Sequence, residues 1–373
     1  MAHRIVLFGA TGFTGRLTAE ALVALGESPL LVGRDPAKLH ALADRLDAGC
    51  ETAVAGADSS APLRKLLEED DVLISTVGPF AKWGDAAVSA AIAAGIPYLD
   101  STGEPVFMRK VFDDYGPMAS EAGCPLLTAF GFDYVPGNLA AALCLQGAGD
   151  DASRVASVDV GYFITGDAGT AGVSGGTAAS LSGAAFAPGF AWRHGALTTV
   201  RNADASAAFR IDGAERWGIA VSGTEHYGIQ RLAGNVRDVG VYVGVQGKAS
   251  RHVAKLSSVT PLLAKVPGVA NIAERLAARV QKPGDGPTAE IRATQGSRVV
   301  ALARDEAGRT IAEVCLHGAD PYDLTARFLA WGAIRAGAGG IDGTGALTPV
   351  EAFGLDTLEK ACADAGLTRD SHR

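Results

Sequence analysis

No apolar run in this sequence approaches the ~20 residues that a helix needs to cross a bilayer, so no membrane span is expected. The first strand pattern begins almost at once, which leaves no room for a cleaved leader and makes the cytoplasm the expected location. Cysteine is sparse. The five thiols, at positions 50, 124, 144, 315 and 362, form no CxxC pair and have no histidines at metal-binding spacing, so they read as reduced thiols with no metal site. Positive charge is in deficit as well. A formal net charge of -8 offers no electrostatic reason for a nucleic-acid or anionic-membrane partner, and a phosphate-bearing ligand would need positive charge concentrated locally. Internal repeats and low-complexity tracts are absent. What remains is 373 residues, 48% hydrophobic and 20% charged, enough for two domains and a large core.

The informative stretch comes first. Ile5, Val6, Leu7 and Phe8 form a continuous apolar run of the kind that a parallel strand buried on both faces requires, and the run stops at Gly9. Glycines then recur at threes, Gly9, Gly12 and Gly15. In a dinucleotide-binding turn the first permits the bend, the second lets backbone approach a pyrophosphate and the third lets the helix pack on the strand. Gly9, Thr11, Gly12, Phe13, Thr14 and Gly15 are therefore expected cofactor contacts, with helix amides facing the phosphates. A helical pattern from Thr14 to Leu25 leads to a second strand ending at Arg34. Where an NAD site carries an acidic residue about 20 positions past the glycines, a guanidinium stands instead, matched to the 2′-phosphate of NADP. Asp35-Pro36 reads as an N-cap and first helical residue that turn the neighbouring carboxylate inward, and Lys38 adds a second positive charge.

Further strands and helices alternate. Strands near 51–55, 71–80, 97–104 and 125–130, with helices between them, describe a doubly wound α/β sheet of Rossmann type. Asp58, after the third strand, either approaches the adenine or caps a turn. Thr76, Val77, Gly78, Pro79 and Phe80 follow the fourth strand, where ligands of open α/β sheets lie; Pro79 is expected to fix that turn and Phe80 to wall the pocket. After the fifth strand, Asp100, Ser101, Thr102 and Glu104 read either as substrate, cofactor or proton-carrying groups or, for Glu104, as a cap for the following helix. Gly131–Asn138 brings Asp133 and Tyr134 to a loop with the Gly137 and Asn138 amides open to a ligand. Asp100, Glu104, Asp133 and Tyr134 are the candidate proton carriers.

Near residue 150 the pattern changes to alternation, Val155 to Ile164, as in a half-buried antiparallel strand. Gly166–Gly176 reads as a loop over a site or as a structureless run, followed by a short helix at 177–182. Strands are expected near 208–211, 217–221 and 236–245, with His226 and Tyr227 between them as a weak candidate for substrate contact. A broken helical stretch spans 253–280, a hairpin joins 298–304 to 310–316, and helices at 323–336 and 355–365 end the chain. The expected domains are 1–148, a nucleotide-binding domain; 149–322, an inserted α+β substrate domain; and 323–373, C-terminal helices packing back on the first.

Gly-Ala-Thr-Gly-Phe-Thr-Gly at 9–15, Val-Gly-Arg at 32–34, Thr-Val-Gly-Pro-Phe at 76–80, Asp-Ser-Thr-Gly-Glu at 100–104 and Gly-Phe-Asp-Tyr-Val-Pro-Gly-Asn at 131–138 together resemble the saccharopine dehydrogenase-like oxidoreductases. Within that group the sequence looks most like the actinobacterial branch that includes the trans-acting enoyl reductases. The likeness covers the first 140 residues and 345–354, and is only general between 150 and 320. It implies a Rossmann domain holding NADP(H) and an inserted domain that shapes the substrate site and often mediates homodimerisation. Two reactions follow from it, reduction of a C=C bond in a lipid- or polyketide-type acyl substrate, or imine-forming amino-acid dehydrogenation of saccharopine type. The small, apolar 166–190 segment favours an acyl chain. A protein that binds NADP as a sensor or scaffold, without turnover, is the reading from another class.

Overall fold

The structure is a computed structural model that describes residues 3–166, 188–244 and 286–370. These fall into two compact units, Met1–Val135 with Tyr322–Ala365, and Pro136–Pro321 with Gly366–Arg373. The first boundary thus falls just after the first residue of the helix Val135–Gly147, which the sequence reading assigns to the first domain, and the last few residues cluster with the second unit rather than the first.

The first unit is built on an all-parallel sheet. Its strands are β1 (Ile5–Phe8), β2 (Leu30–Gly33), β3 (Thr52–Val54), β4 (Val72–Ser75), β5 (Tyr98–Asp100) and β6 (Pro125–Leu127), joined by a short strand at Gly345–Ala346. The order is Gly345–Ala346, β6, β5, β4, β1, β2, β3. The apolar runs of β1, β2 and β4 are buried along their whole length, as burial on both faces demands. The chain lays β2 and β3 on one side of β1 and β4 to β6 on the other. That reversal opens a crevice at the carboxyl ends of β1 and β4, the point where open α/β sheets take their ligands. This is the expected Rossmann-type α/β sheet. Helices Phe13–Ala24, Pro36–Leu46 and Phe80–Ala94 link its strands, and Val6, Phe8, Leu73, Tyr98, Phe107 and Leu126 lie in its core. The C-terminal helices Pro321–Gly337, Pro349–Phe353 and Leu355–Asp364 complete the unit, with the Phe353 ring 5.6 Å from Phe130 and 4.7 Å from Trp331.

The second unit holds a seven-stranded sheet in the order Ser206–Ile211, Ala214–Ala220, Asp238–Gly244, Ser157–Gly166, Gln295–Arg304, Thr310–Gly318, Leu367–Arg369. The expected strand near 155–165 is present, but its neighbours run both ways. It pairs antiparallel with Gln295–Arg304 and parallel with Asp238–Gly244. Alternation reports that one face is buried, not which way the neighbour runs, and the long connection between the two parallel partners supplies the crossover that such pairing needs. The 295–304/310–318 hairpin forms as expected. A second hairpin, Pro188–Arg193 with Ala196–Arg201, and the final strand were not foreseen. That last strand is held to its neighbour by side chains too: His317 Nδ1 lies 2.6 Å from Asp370 Oδ1, and its Nε2 lies 2.9 Å from Thr368 Oγ1. The expected helices at 177–182 and 253–280, and nearly all of the glycine-rich run from 166, lie outside the described residues. No helix among the described residues is long and apolar enough to cross a membrane.

The first helix sits so near the β1 turn that a Cβ at Gly15 would overlap the Gly9 carbonyl oxygen, with backbone rather than a flexible side chain in the way. Gly15→Ala is accordingly expected to destabilise the protein by ~1–3 kcal/mol in chemical denaturation, because overpacking against backbone cannot relax.

Candidate functional site

The crevice at the switch point is made of backbone. Gly9 has φ +91, and a Cβ there would stand 2.7 Å from Thr76 Oγ1 and 2.8 Å from Val77 Cγ2, so only glycine fits. Gly12 N–H donates to Gly9 O at 2.9 Å, closing the turn, and Thr76 Oγ1 donates to Gly9 O at 3.1 Å, tying the turn to the end of β4. The helix that starts at Phe13 has Gly12 as its N-cap and no side chain capping it. An N-terminus with an uncapped first turn, reached through glycines that leave no side chains over it, fits the pyrophosphate of a dinucleotide. Gly12, Ser101, Gly103 and Asp133 are open or partly open to solvent, as are Thr11, Phe13, Thr14 and the whole Thr76–Pro79 turn. The Gly78–Pro79 and Asp133–Tyr134 peptides are cis.

At the end of β2 the expected helix cap forms. Asp35 caps the helix Pro36–Leu46 by accepting from Lys38 N at 3.2 Å. Arg34 is exposed and makes no hydrogen bond or ion pair among the described residues. The Lys38 ammonium stands 3.9 Å from Asp35 Oδ2, an exposed pair that spends part of its charge on its own helix. Asp58 is exposed, and the capping role at the next helix belongs to Ser59, whose hydroxyl accepts from Ala61 N at 3.3 Å. Asp58 instead borders a cleft of ≈ 300 Å³ with Ser60, Lys82 and Trp83.

The four carboxylate and phenol candidates separate sharply. Glu104 is 6% exposed; its Oε1 accepts from Phe80 N at 2.7 Å and its Oε2 from Ala81 N at 2.9 Å. It caps a helix, but the distant Phe80–Ala94 helix rather than its own, for which Glu104 occupies the N-cap position without a side-chain bond. With both oxygens committed to backbone amides it is a structural carboxylate. Phe80, expected to wall a pocket, is buried with its ring 5.6 Å from Phe107. Asp100 is fully buried, and burial pushes its carboxyl up to about 6 against the amides of Ala129 and Thr102 that lower it. Tyr134 is buried, with its amide donating to Ala129 O at 2.8 Å. Asp133 differs from all three. The residue is exposed, yet burial of its carboxyl raises it to about 6, and a Cβ at Gly103 would lie 3.8 Å from its Oδ2.

In the second unit, Gly137 does not offer its amide to a ligand. It lies inside a helix and donates to the Tyr162 hydroxyl at 2.9 Å, while that hydroxyl donates to the buried Glu225 carboxylate. Asn138 donates to Thr224 Oγ1 at 2.9 Å. His226 is buried and structural: its Nδ1 accepts from Trp192 N at 3.3 Å, and burial lowers it to about 4, so it stays neutral.

The sequence reading missed the polar row of Ser75, Tyr98 and Thr128 beside Asp100. The available signal was polar residues alternating with apolar ones within strands otherwise buried on both faces.

The family described as saccharopine dehydrogenase NADP binding domain matches residues 5–125. The first unit is therefore a saccharopine dehydrogenase-like fold of the kind that binds an NAD(P)-type cofactor. A Mycobacterium tuberculosis H37Rv protein provisionally named a trans-acting enoyl reductase is 37% identical over 182 residues, 48% of this chain and 43% of that protein. The trans-acting enoyl reductase of Mycobacterium ulcerans is 37% identical over 140 residues, 36% of this chain and 34% of its own. Each match spans less than half of the curated relative. The solved structure of apo saccharopine dehydrogenase (L-Glu forming) from Saccharomyces cerevisiae aligns over 99% of both chains with a TM-score of 0.62 at 13% identity, a shared fold.

Because Glu104 alone satisfies two amides at the start of Phe80–Ala94, Glu104→Ala is expected to cost about 2–3 kcal/mol of stability and Glu104→Gln about half of that, read by denaturant titration. An alanine variant as stable as the wild type would remove the cap assignment.

Proposed function

We propose that this protein is an NADPH-dependent oxidoreductase that reduces the C=C bond of an enoyl group on a lipid- or polyketide-type acyl substrate. Arg34 carries the reading: an exposed guanidinium closing β2 without a partner among the described residues, next to an Asp35 whose carboxylate faces its own helix. An NAD-type site would present a carboxylate to the ribose hydroxyls there; this one presents a donor fork suited to a 2′-phosphate. Lys38 adds to the field despite its pairing with Asp35. The reaction is supported by the likeness to trans-acting enoyl reductases over the nucleotide-binding half.

When bound, the dihydronicotinamide supplies the hydride for the β-carbon of the enoyl group. The first-turn amides of the helix at Phe13 hold the pyrophosphate over the side-chain-free turn that Gly9 and Gly12 shape, and Thr76 to Pro79 with Ser101 line the nicotinamide-ribose side. Asp133 is the proton donor. Raised to about 6 by burial, its carboxyl keeps a protonated fraction near neutrality and delivers its proton to the α-carbon.

Calorimetry with Arg34→Ala is expected to show NADPH affinity falling by roughly 10- to 100-fold, the loss of charge-assisted hydrogen bonds, with NADH affinity within a few-fold of wild type. Equal losses would overturn the 2′-phosphate assignment. NADPH oxidation with an amino-acid and oxo-acid pair, but none with enoyl thioesters, would replace C=C reduction by imine chemistry.

A further inference from the structure

We propose that Asp100 is the positioning residue of this site, a single buried carboxyl group that holds the loops after β5 and β6 together and whose other oxygen lies among a row of buried hydroxyls instead of beside a cation. The inference deepens the oxidoreductase reading and rests on it for what the site does, but not for its geometry. Asp100 Oδ1 accepts from Thr102 N at 2.9 Å and from Ala129 N at 2.9 Å, and Asp100 O accepts from Phe130 N at 2.7 Å. One residue thus joins the loop carrying Ser101 and Gly103 to the loop carrying Asp133. Ala129 has φ +56, a left-handed conformation that alanine rarely adopts, and its amide is pinned by this carboxyl. The bond from Tyr134 N to Ala129 O at 2.8 Å then closes the loop, with Asp133 turned to solvent beside Gly103.

The second oxygen explains the polar row. Ser75 pairs with Asp100 in the β4–β5 register, and the β5–β6 register that matches Leu99 to Leu127 carries on to set Thr128 beside Asp100. Tyr98 lies on the same face two residues back. Asp100 Oδ2, Tyr98 OH, Ser75 Oγ and Thr128 Oγ1 are all buried, and none has a partner at hydrogen-bonding geometry. The groups that act on the carboxyl are the amides of Ala129 and Thr102 and the hydroxyls of Thr128 and Tyr98; none is basic. Tyr98 in turn feels Ser75 and Tyr115. Hydroxyls can donate to an ionised carboxylate or accept from a protonated one, so the row accommodates both states. The junction bonds at Oδ1 are strongest in the ionised state.

Burial raises this carboxyl from 3.8 to about 6. A folded-state value above the unfolded one means that the contribution to stability is complete below about 3.8 and is lost as pH rises through about 6. Asp133 shifts in the same direction and window, so Asp133→Asn is the control.

The test compares wild type, Asp100→Asn, Asp100→Ala, Tyr98→Phe and Asp133→Asn. Asparagine keeps an acceptor for both amides but cannot ionise. It is expected to retain NADPH affinity within about threefold and to gain stability relative to wild type as pH rises from 4 to 7.5, by up to about 100-fold in the folding equilibrium. Asp100→Ala is expected to speed amide exchange at Thr102 and Ala129 at least about tenfold and to weaken NADPH binding by a similar factor. Should the alanine variant fail to fold, Tyr98→Phe decides: losing a hydroxyl that lowers this carboxyl should move the pH midpoint assigned to Asp100 upward without slowing or speeding exchange at those amides. Wild-type exchange in Asp100→Ala, a wild-type pH profile in Asp100→Asn, or an unmoved midpoint in Tyr98→Phe overturns the proposal. Failure of the wild type to bind NADPH would overturn the oxidoreductase reading instead, since exchange and pH stability need no cofactor.

Discussion

The contact between the Gly9 carbonyl and Gly15 governs the first unit. A helix can start this close to the turn after β1 only where no Cβ intervenes, and the same absence of side chains leaves the first-turn amides open at the switch point. Thr76 extends the lock by donating to Gly9 O, so that the ends of β1 and β4 and the helix start form one backbone assembly. The cofactor cradle is therefore built from what the side chains leave out, and it is rigid because each of its parts touches another part's backbone.

Three carboxylates of the same unit have been put to different uses by their surroundings. Glu104 spends both oxygens on the amides that open a neighbouring helix, a role that removes it from proton chemistry. Asp100, equally buried, gives one oxygen to two loop amides and holds the other, without a hydrogen bond, among buried hydroxyls. Asp133 alone faces solvent while protein around it raises its carboxyl to about 6. What surrounds a carboxylate, more than the residue type, decides what it can do.

The second unit shows the same division on a sheet of mixed direction. Its buried Glu225 is met by the Tyr162 hydroxyl, and His226, buried beside it in sequence, is neutral and bonded to the backbone of a hairpin. Polar residues in this unit therefore report how helices and hairpins are fastened to the sheet. The closing strand, fastened through His317, Thr368 and Asp370, belongs to the same pattern.

What could be read from the chain alone was local. An apolar run, a glycine turn, a helix, a second strand and Arg34 follow one another within a few turns of chain, and the Asp35 cap lies three residues from the amide it serves. Steric and hydrogen-bonding rules act over that distance, so the nucleotide-binding unit and its basic end were legible. The contacts that assign roles are not local. Glu104 serves an amide 24 residues away, Asp100 one 29 residues away, and the strand at Ser157–Gly166 takes its two neighbours from opposite directions. Only packing brings such groups together, and because periodicity records burial without naming the partner, the tertiary structure alone decided which carboxylate does what.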